Sequence, residues 1–183
     1  MTPPKLLVLD LDETLLFAAE RPLERVADFR VGPYHIYRRP GLAAFLDQCF
    51  QWFEVAVWTS SSPLYAEEVV RAVFPDPSRL SFVWASDRCT PAYDPETGEH
   101  CARKNLKKIK GRGYPLESVV VVDDSPEKWR QSYGSLVQVT PYLGAEEDTE
   151  LALLASYLHV LKDQPNIRAV EKRQWRHRVP AAP

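Results

Sequence analysis

The chain has 183 residues, 45% of them hydrophobic and 26% charged, the composition of one globular domain with a substantial core. A net charge of −2 supplies no global pull toward nucleic acid, and no apolar run reaches the length of a membrane span. The first five residues, Met1 to Lys5, lack the apolar segment of a signal peptide, so a cytoplasmic or otherwise intracellular setting is expected.

The first predicted strand, residues 5–10, runs straight into Asp10-Leu11-Asp12-Glu13-Thr14. A buried strand gains nothing in packing from two carboxylates at its end, because each is costly to desolvate. Their spacing suits a carboxylate nucleophile, a metal and a second carboxylate for acid/base work. The plainer alternative is a solvated acidic turn. Residues 17–39 read as a flap whose centre is a hairpin turning at Gly32-Pro33, with Phe29, Tyr34 and Tyr37 as groove or packing residues. A helix is predicted over 40–50. A second strand, 53–58, leads into Thr59-Ser60-Ser61, and a helix over 63–73 follows with Ser62 as its N-cap and Pro63 in its first turn.

A third strand is predicted over 80–85. Residues 86–103 form an insert carrying Pro91, Pro95 and Gly98. Cys89 and Cys101 flank it, and with Cys49 they make three, an odd number that fits a reducing compartment better than a disulfide framework. A short basic helix is expected over 104–110. The fourth strand, 118–122, ends in Asp123-Asp124-Ser125-Pro126, and a short helix over 126–131 follows. A helix cap at Ser125 would explain the Ser-Pro pair but not two acids directly after four valines. A fifth strand over 136–139 and a helix over 147–161 complete the pattern. Residues 164–183 carry Arg168, Lys172, Arg173, Arg176 and Arg178. They read as a solvated last helix with a frayed end, or as a patch for an acidic or phosphorylated partner.

Near-continuous apolar strands alternating with helices imply a parallel sheet covered on both faces. The expected fold is therefore α/β: a Rossmann-like three-layer sandwich with a mainly parallel five-stranded sheet. Residues 1–163 form the domain, 164–183 its basic tail. The flap and the insert are each too short for a large cap domain. Three strand ends then carry the unusual polar residues, where ligands bind in open α/β sheets.

This ordered set, with Arg39-Pro40-Gly41 before the first helix, resembles the haloacid dehalogenase superfamily, and within it the Fcp/Scp-type (NLI-interacting-factor-like) protein serine/threonine phosphatases. The resemblance covers roughly residues 5–161. It implies Asp10 as the nucleophile that forms an aspartyl-phosphate, Asp12 as acid and base, and Mg2+ held by Asp10, the Asp12 carbonyl and Asp124. Asp123 would hold a metal-bound water or the neighbouring lysine, and Thr14 would support the carboxylates. Thr59 and the Ser60 N–H would bind phosphate. Within the basic cluster, the family's pattern selects Lys104 as the phosphate-binding lysine. Arg39 is a candidate for phosphate or structural contact.

A site without a closing cap favours a macromolecular substrate, here phosphorylated protein Ser/Thr or Tyr. Relatives take extended, proline-containing phosphopeptides, but the matching stretch, Asp94-Pro95-Glu96-Thr97-Gly98-Glu99, differs in sequence, so that preference does not carry over. The alternatives are a phosphatase of a nucleic-acid end, which the net charge disfavours, or of a small metabolite. A phosphomutase or transferase, or a catalytically silent phosphoprotein-binding module on the same fold, also remains open.

Overall fold

The computed structural model describes residues 5–94 and 98–179. In chain order the strands are β1 (Leu6–Leu9), β2 (Leu16–Ala19), β3 (Phe29–Val31), β4 (Tyr34–Arg38), β5 (Glu54–Trp58), β6 (Val83–Trp84), β7 (Thr90–Asp94), β8 (Glu99–Arg103), β9 (Val119–Asp123) and β10 (Leu136–Gln138). The helices are α1 (Leu42–Trp52), α2 (Pro63–Val73), α3 (Lys107–Lys110) and α4 (Glu150–Leu161). The central sheet has the order β10-β9-β1-β5-β6, and every pairing in it is parallel.

Both faces of that sheet are buried, which is why its strands read as unbroken apolar runs. Leu7 and Leu9 of β1 enter one core, and Leu6 and Val8 enter the other. The first core lies under α1, α2 and α4, which contribute Phe45, Leu46, Val69, Leu154 and Leu158. The second is aromatic. Trp58 meets Trp84 and Trp129 edge-on, with ring centroids 4.8 and 5.6 Å apart, a favoured arrangement of aromatic quadrupoles.

Register brings the functional strand ends to one level. Leu9 lies opposite Val57 on one side and Val122 on the other. The next residue, Asp10, donates its N–H to the Val122 carbonyl at 3.0 Å. Strand order reverses at β1, so the crevice of an open α/β sheet falls there.

The flap is a three-stranded antiparallel sheet, β2-β4-β3. Its two-residue turn needs a positive φ at the first position, which Gly32 supplies at 54°. Tyr37 is fully buried within it, and its hydroxyl accepts from Leu23 N–H at 2.8 Å; it is a packing residue, not a groove residue. The insert forms the hairpin β7-β8. Residues 95–97 of the stretch that differs from the relatives lie outside the described residues. All three cysteines are free.

Two expected helices are shorter than the sequence pattern suggests. α3 begins only at Lys107, and Lys104, ahead of it, donates its N–H to the Lys128 carbonyl at 2.9 Å. The segment after β9 is a 3-10 turn, Pro126–Trp129. It has no Ser125 side-chain cap, because the Ser125 hydroxyl donates to Asp124 instead.

The tail also departs from expectation. In place of a solvated helix it makes two 3-10 turns, Ile167–Ala169 and Trp175–Arg178. Trp175 is 1% exposed. It packs on Tyr157 of α4 and donates its indole N–H to the Gln138 carbonyl at 2.7 Å. A large aromatic with one satisfied polar atom anchors a segment that charge counting alone assigns to solvent. Among the described residues no helix is long and apolar enough to cross a membrane.

Candidate active site

The chain after β1 reverses within a few residues. The Leu11 carbonyl accepts from the N–H groups of Thr14, Leu15 and Leu16, at 3.2, 2.8 and 3.3 Å. Glu13 adopts φ 60°, the only non-glycine with positive φ among the described residues. Such a conformation costs about 1 kcal/mol and persists where surrounding structure enforces it. The loop thereby holds Asp10 and Asp12 at the mouth of the sheet.

Asp10, Asp123 and Asp124 present carboxylate oxygens within 4.8 Å of one another. One ammonium answers them. Lys104, only 2% exposed, reaches Asp10 Oδ1 at 2.8 Å and Asp123 Oδ2 at 2.6 Å. Three buried or half-buried carboxylates share one ammonium in contact, with Lys128 acting on Asp10 and Asp124 only at longer range, and the donors are all hard oxygens. That set fits a hard divalent cation. Without one, burial and the nearby Asp123 push the Asp10 carboxyl up to about 7, against the pull of Lys104. Asp124 is raised by the same two causes. Burial alone would lower the Lys104 ammonium, but Asp10 and Asp123 outweigh it and hold the lysine well above its ordinary value.

Other groups pin the cluster. The Thr14 hydroxyl lies 3.3 Å from Asp10 Oδ2 and 3.4 Å from Asp124 Oδ1. Asp123 accepts from Ser125 N–H at 2.9 Å and from the Trp129 indole N–H at 2.8 Å. The Trp129 contact has a weak sequence signal, since a buried indole N–H requires an acceptor.

Asp12 is held separately. The Ser61 hydroxyl donates to its Oδ2 at 2.7 Å and the Tyr65 hydroxyl to its Oδ1 at 2.5 Å. Burial and the Asp12 carboxylate together raise the Tyr65 phenol, so it stays protonated as a donor. Ser61 does not cap α2. The cap is Ser62, which accepts from Tyr65 N–H. Nothing local in the sequence marks Tyr65. Both residues, with Asp12, Glu13, Phe17, Ala18, Tyr34 and Ser62, line an open cleft of about 420 Å³.

Thr59 and Ser60 stand at the end of β5 beside this group. Thr59 is 1% exposed, and its Oγ1 accepts from Ser61 N–H at 3.1 Å. The Ser60 hydroxyl is buried without a partner among the described residues. Arg39 makes structural contacts. Its side chain is 0% exposed and makes a bidentate pair with Asp148 at 2.8 and 2.9 Å. Its third contact, to the Thr14 carbonyl at 3.1 Å, braces the loop behind Asp10.

The family model for NLI interacting factor-like phosphatases matches residues 5–168. The chain belongs to this family. It is 27% identical to CTD small phosphatase-like protein 2 of Dictyostelium discoideum over 173 residues, 90% of this chain and 29% of that protein. It is also 27% identical to CTD nuclear envelope phosphatase 1B of Danio rerio over 191 residues, covering 96% of this chain and 74% of that one. The chain thus spans under a third of the Dictyostelium relative and about three-quarters of the fish one. Among solved structures it resembles Fcp1, an RNA polymerase II CTD phosphatase, with a TM-score of 0.60 and 22% identity over 93% of this chain and 58% of that one. That likeness is one of fold, the Rossmann-like parallel α/β architecture that the strand pattern predicts.

Proposed function

We propose that this phosphatase-family member hydrolyses phosphomonoesters on protein Ser/Thr or Tyr side chains, through an aspartyl-phosphate and with Mg2+. The observation that carries the reading is the buried Lys104 ammonium bridging Asp10 and Asp123, with Asp12 held two residues on at an open cleft.

In the first step an Asp10 carboxylate oxygen attacks phosphorus. The bond to the leaving oxygen breaks, and Asp12 gives that oxygen its proton. In the second step Asp12, now ionised, takes a proton from water as the water oxygen attacks phosphorus. Inorganic phosphate leaves and Asp10 is restored. Ser61 and Tyr65 hydroxyls can accept as well as donate, so they accommodate Asp12 in both protonation states. Lys104, the Thr59 hydroxyl and the Ser60 N–H would bind the phosphoryl oxygens, where fixed donors offset developing charge. Mg2+ bound by Asp10, Asp124 and the Asp12 carbonyl, with Asp123 behind, would neutralise phosphoryl charge.

A protein substrate is supported by the open cleft beside Asp12, with Phe17, Tyr34 and Tyr65 as its aromatic wall. The relatives' names point the same way, and the free cysteines agree with an intracellular setting. The test is phosphate release from p-nitrophenyl phosphate with and without EDTA, beside Asp10→Asn, followed by a panel of phosphoserine, phosphothreonine and phosphotyrosine peptides. Loss of activity in both EDTA and the variant supports the chemistry. Undiminished activity in Asp10→Asn would overturn it, and preference for a phosphorylated metabolite or oligonucleotide end over every peptide would overturn the substrate.

A further inference from the structure

β10 is an edge strand of the central sheet, and it borders a cavity of about 720 Å³. Leu136 and Gln138 of the strand, residues 168–173 of the tail and Pro126 line it together. Pro126 directly follows the Asp123-Asp124-Ser125 loop.

The edge is open at two defined atoms. Val139 donates its N–H to the Asp123 carbonyl at 3.1 Å, so odd-numbered residues of this strand face β9 and the main-chain groups of Leu136 and Gln138 turn outward. The Leu136 N–H is taken by the Tyr133 carbonyl, and the Gln138 carbonyl by Trp175. The Leu136 carbonyl and Gln138 N–H have no partner on this outer side among the described residues. In a parallel ladder one residue of an added strand bonds to just such a pair of groups, two positions apart.

The tail's share of the lining is cationic. Arg168, Lys172 and Arg173 stand against Glu171, which is tied to Arg173. Lys172 is 5% exposed, and its ammonium donates to the Ile167 and Val170 carbonyls at 2.5 Å each. Among the described residues no carboxylate lies within ion-pair distance of Lys172 or of the Arg168 guanidinium. Burial, only partly offset by Glu171, pulls Lys172 down to about 8. Buried charges are normally paired; here Arg168 and Lys172 both line the cavity without a carboxylate partner among the described residues. Tyr133, also in the lining, stands 79% exposed.

We propose that this groove docks an extended acidic segment of a partner protein. The segment adds to β10 as a parallel strand and turns its carboxylates toward Arg168 and Lys172. Main-chain bonds to the sheet edge supply register and alternate side chains supply specificity. The proposal is independent of the phosphatase chemistry.

The probe is a fluorescein-labelled peptide of alternating Glu and Val, titrated into the full chain by anisotropy. Its controls are the same peptide N-methylated at alternate amides and a Lys-Val analogue. Saturable binding of the acidic peptide is expected, with slowed hydrogen exchange at the Gln138 amide and no binding of the Lys-Val analogue. N-methylation, or Arg168→Glu, should weaken binding by roughly tenfold or more. Gln138→Pro removes the edge donor where proline is tolerated; it should abolish binding and leave aryl-phosphate hydrolysis unchanged. Equal binding of the N-methylated peptide would reduce the site to a charged surface and overturn strand addition. Absent binding, or unchanged exchange at Gln138, would overturn the site. Concentration-dependent dimers that vanish in Gln138→Pro would assign the edge to a second copy of this chain instead.

Discussion

Replacing Arg39 by Met should destabilise the protein by about 3 kcal/mol and leave substrate affinity unchanged. The side chain is 0% exposed and spends its guanidinium on two Asp148 oxygens and the Thr14 carbonyl. Breaking a buried pair by removing one partner costs roughly 3–5 kcal/mol, because the other charge is left stranded. Asp148 is 16% exposed and can turn toward water, which places Arg39→Met at the lower end. Asp148→Asn strands the fully buried guanidinium and should cost more, about 4–5 kcal/mol. Urea denaturation followed by tryptophan fluorescence reads both as midpoint shifts at constant slope. The pH dependence has a definite sign. Burial alone would raise the Asp148 carboxyl, but Arg39 outweighs it and holds it below its ordinary value. The pair's contribution is therefore present above the unfolded carboxylate value and is lost as pH falls through the lower folded one. Wild type and Arg39→Met should converge in acid. A stability loss under about 1 kcal/mol, or a raised KM at unchanged stability, would refute the reasoning and return Arg39 to the substrate.

In EDTA the wild type should lose stability as pH rises from the ordinary carboxylate range to about 7, because Asp10 is raised to about 7 in the fold and binds its proton more tightly there than in the unfolded chain. Asp10→Asn should flatten that slope between pH 5 and 8; an identical slope in the variant would contradict it. Tyr65→Phe keeps the ring and removes one donor from Asp12, so kcat should fall roughly tenfold with stability held within about 1 kcal/mol, as stopped-flow kinetics and urea titration would show. Trp175→Ala should cost about 4 kcal/mol through an unfilled core site, whereas Trp175→Phe should lose only about 1 kcal/mol with the Gln138 bond. Equal, small losses in both would mean that the tail does not anchor the sheet edge.

Much of this protein is legible along the chain. Strands buried on both faces must be apolar at every position, so residues 6–9 and 119–122 announce a parallel sheet before any contact is known. Side chains that break that rule at strand ends, Asp10, Asp12, Asp123 and Asp124, stand out for the same reason. Turn chemistry is local too, which is why the Gly32-Pro33 hairpin and the Ser62 cap of α2 were readable. The tail misled because Trp175 is one aromatic among many charges, and hydropathy weighs the segment rather than the residue.

Tertiary structure alone decided which side chains meet. The basic cluster offered Arg103, Lys104, Lys107, Lys108 and Lys110, and only the family resemblance singled out Lys104. In the fold Lys104 is tied by its N–H to Lys128 and turned inward to Asp10, 94 positions away in the chain. Ser61 and Tyr65 reach Asp12 across 49 and 53 positions, and Arg39 reaches Asp148 across 109. Such contacts depend on strand register and on which way a buried side chain faces, and neither leaves a periodic trace in the sequence. The pattern of apolar residues determined the sheet and the ends where chemistry could sit; register, with Leu9 level with Val57 and Val122, decided which groups share that space.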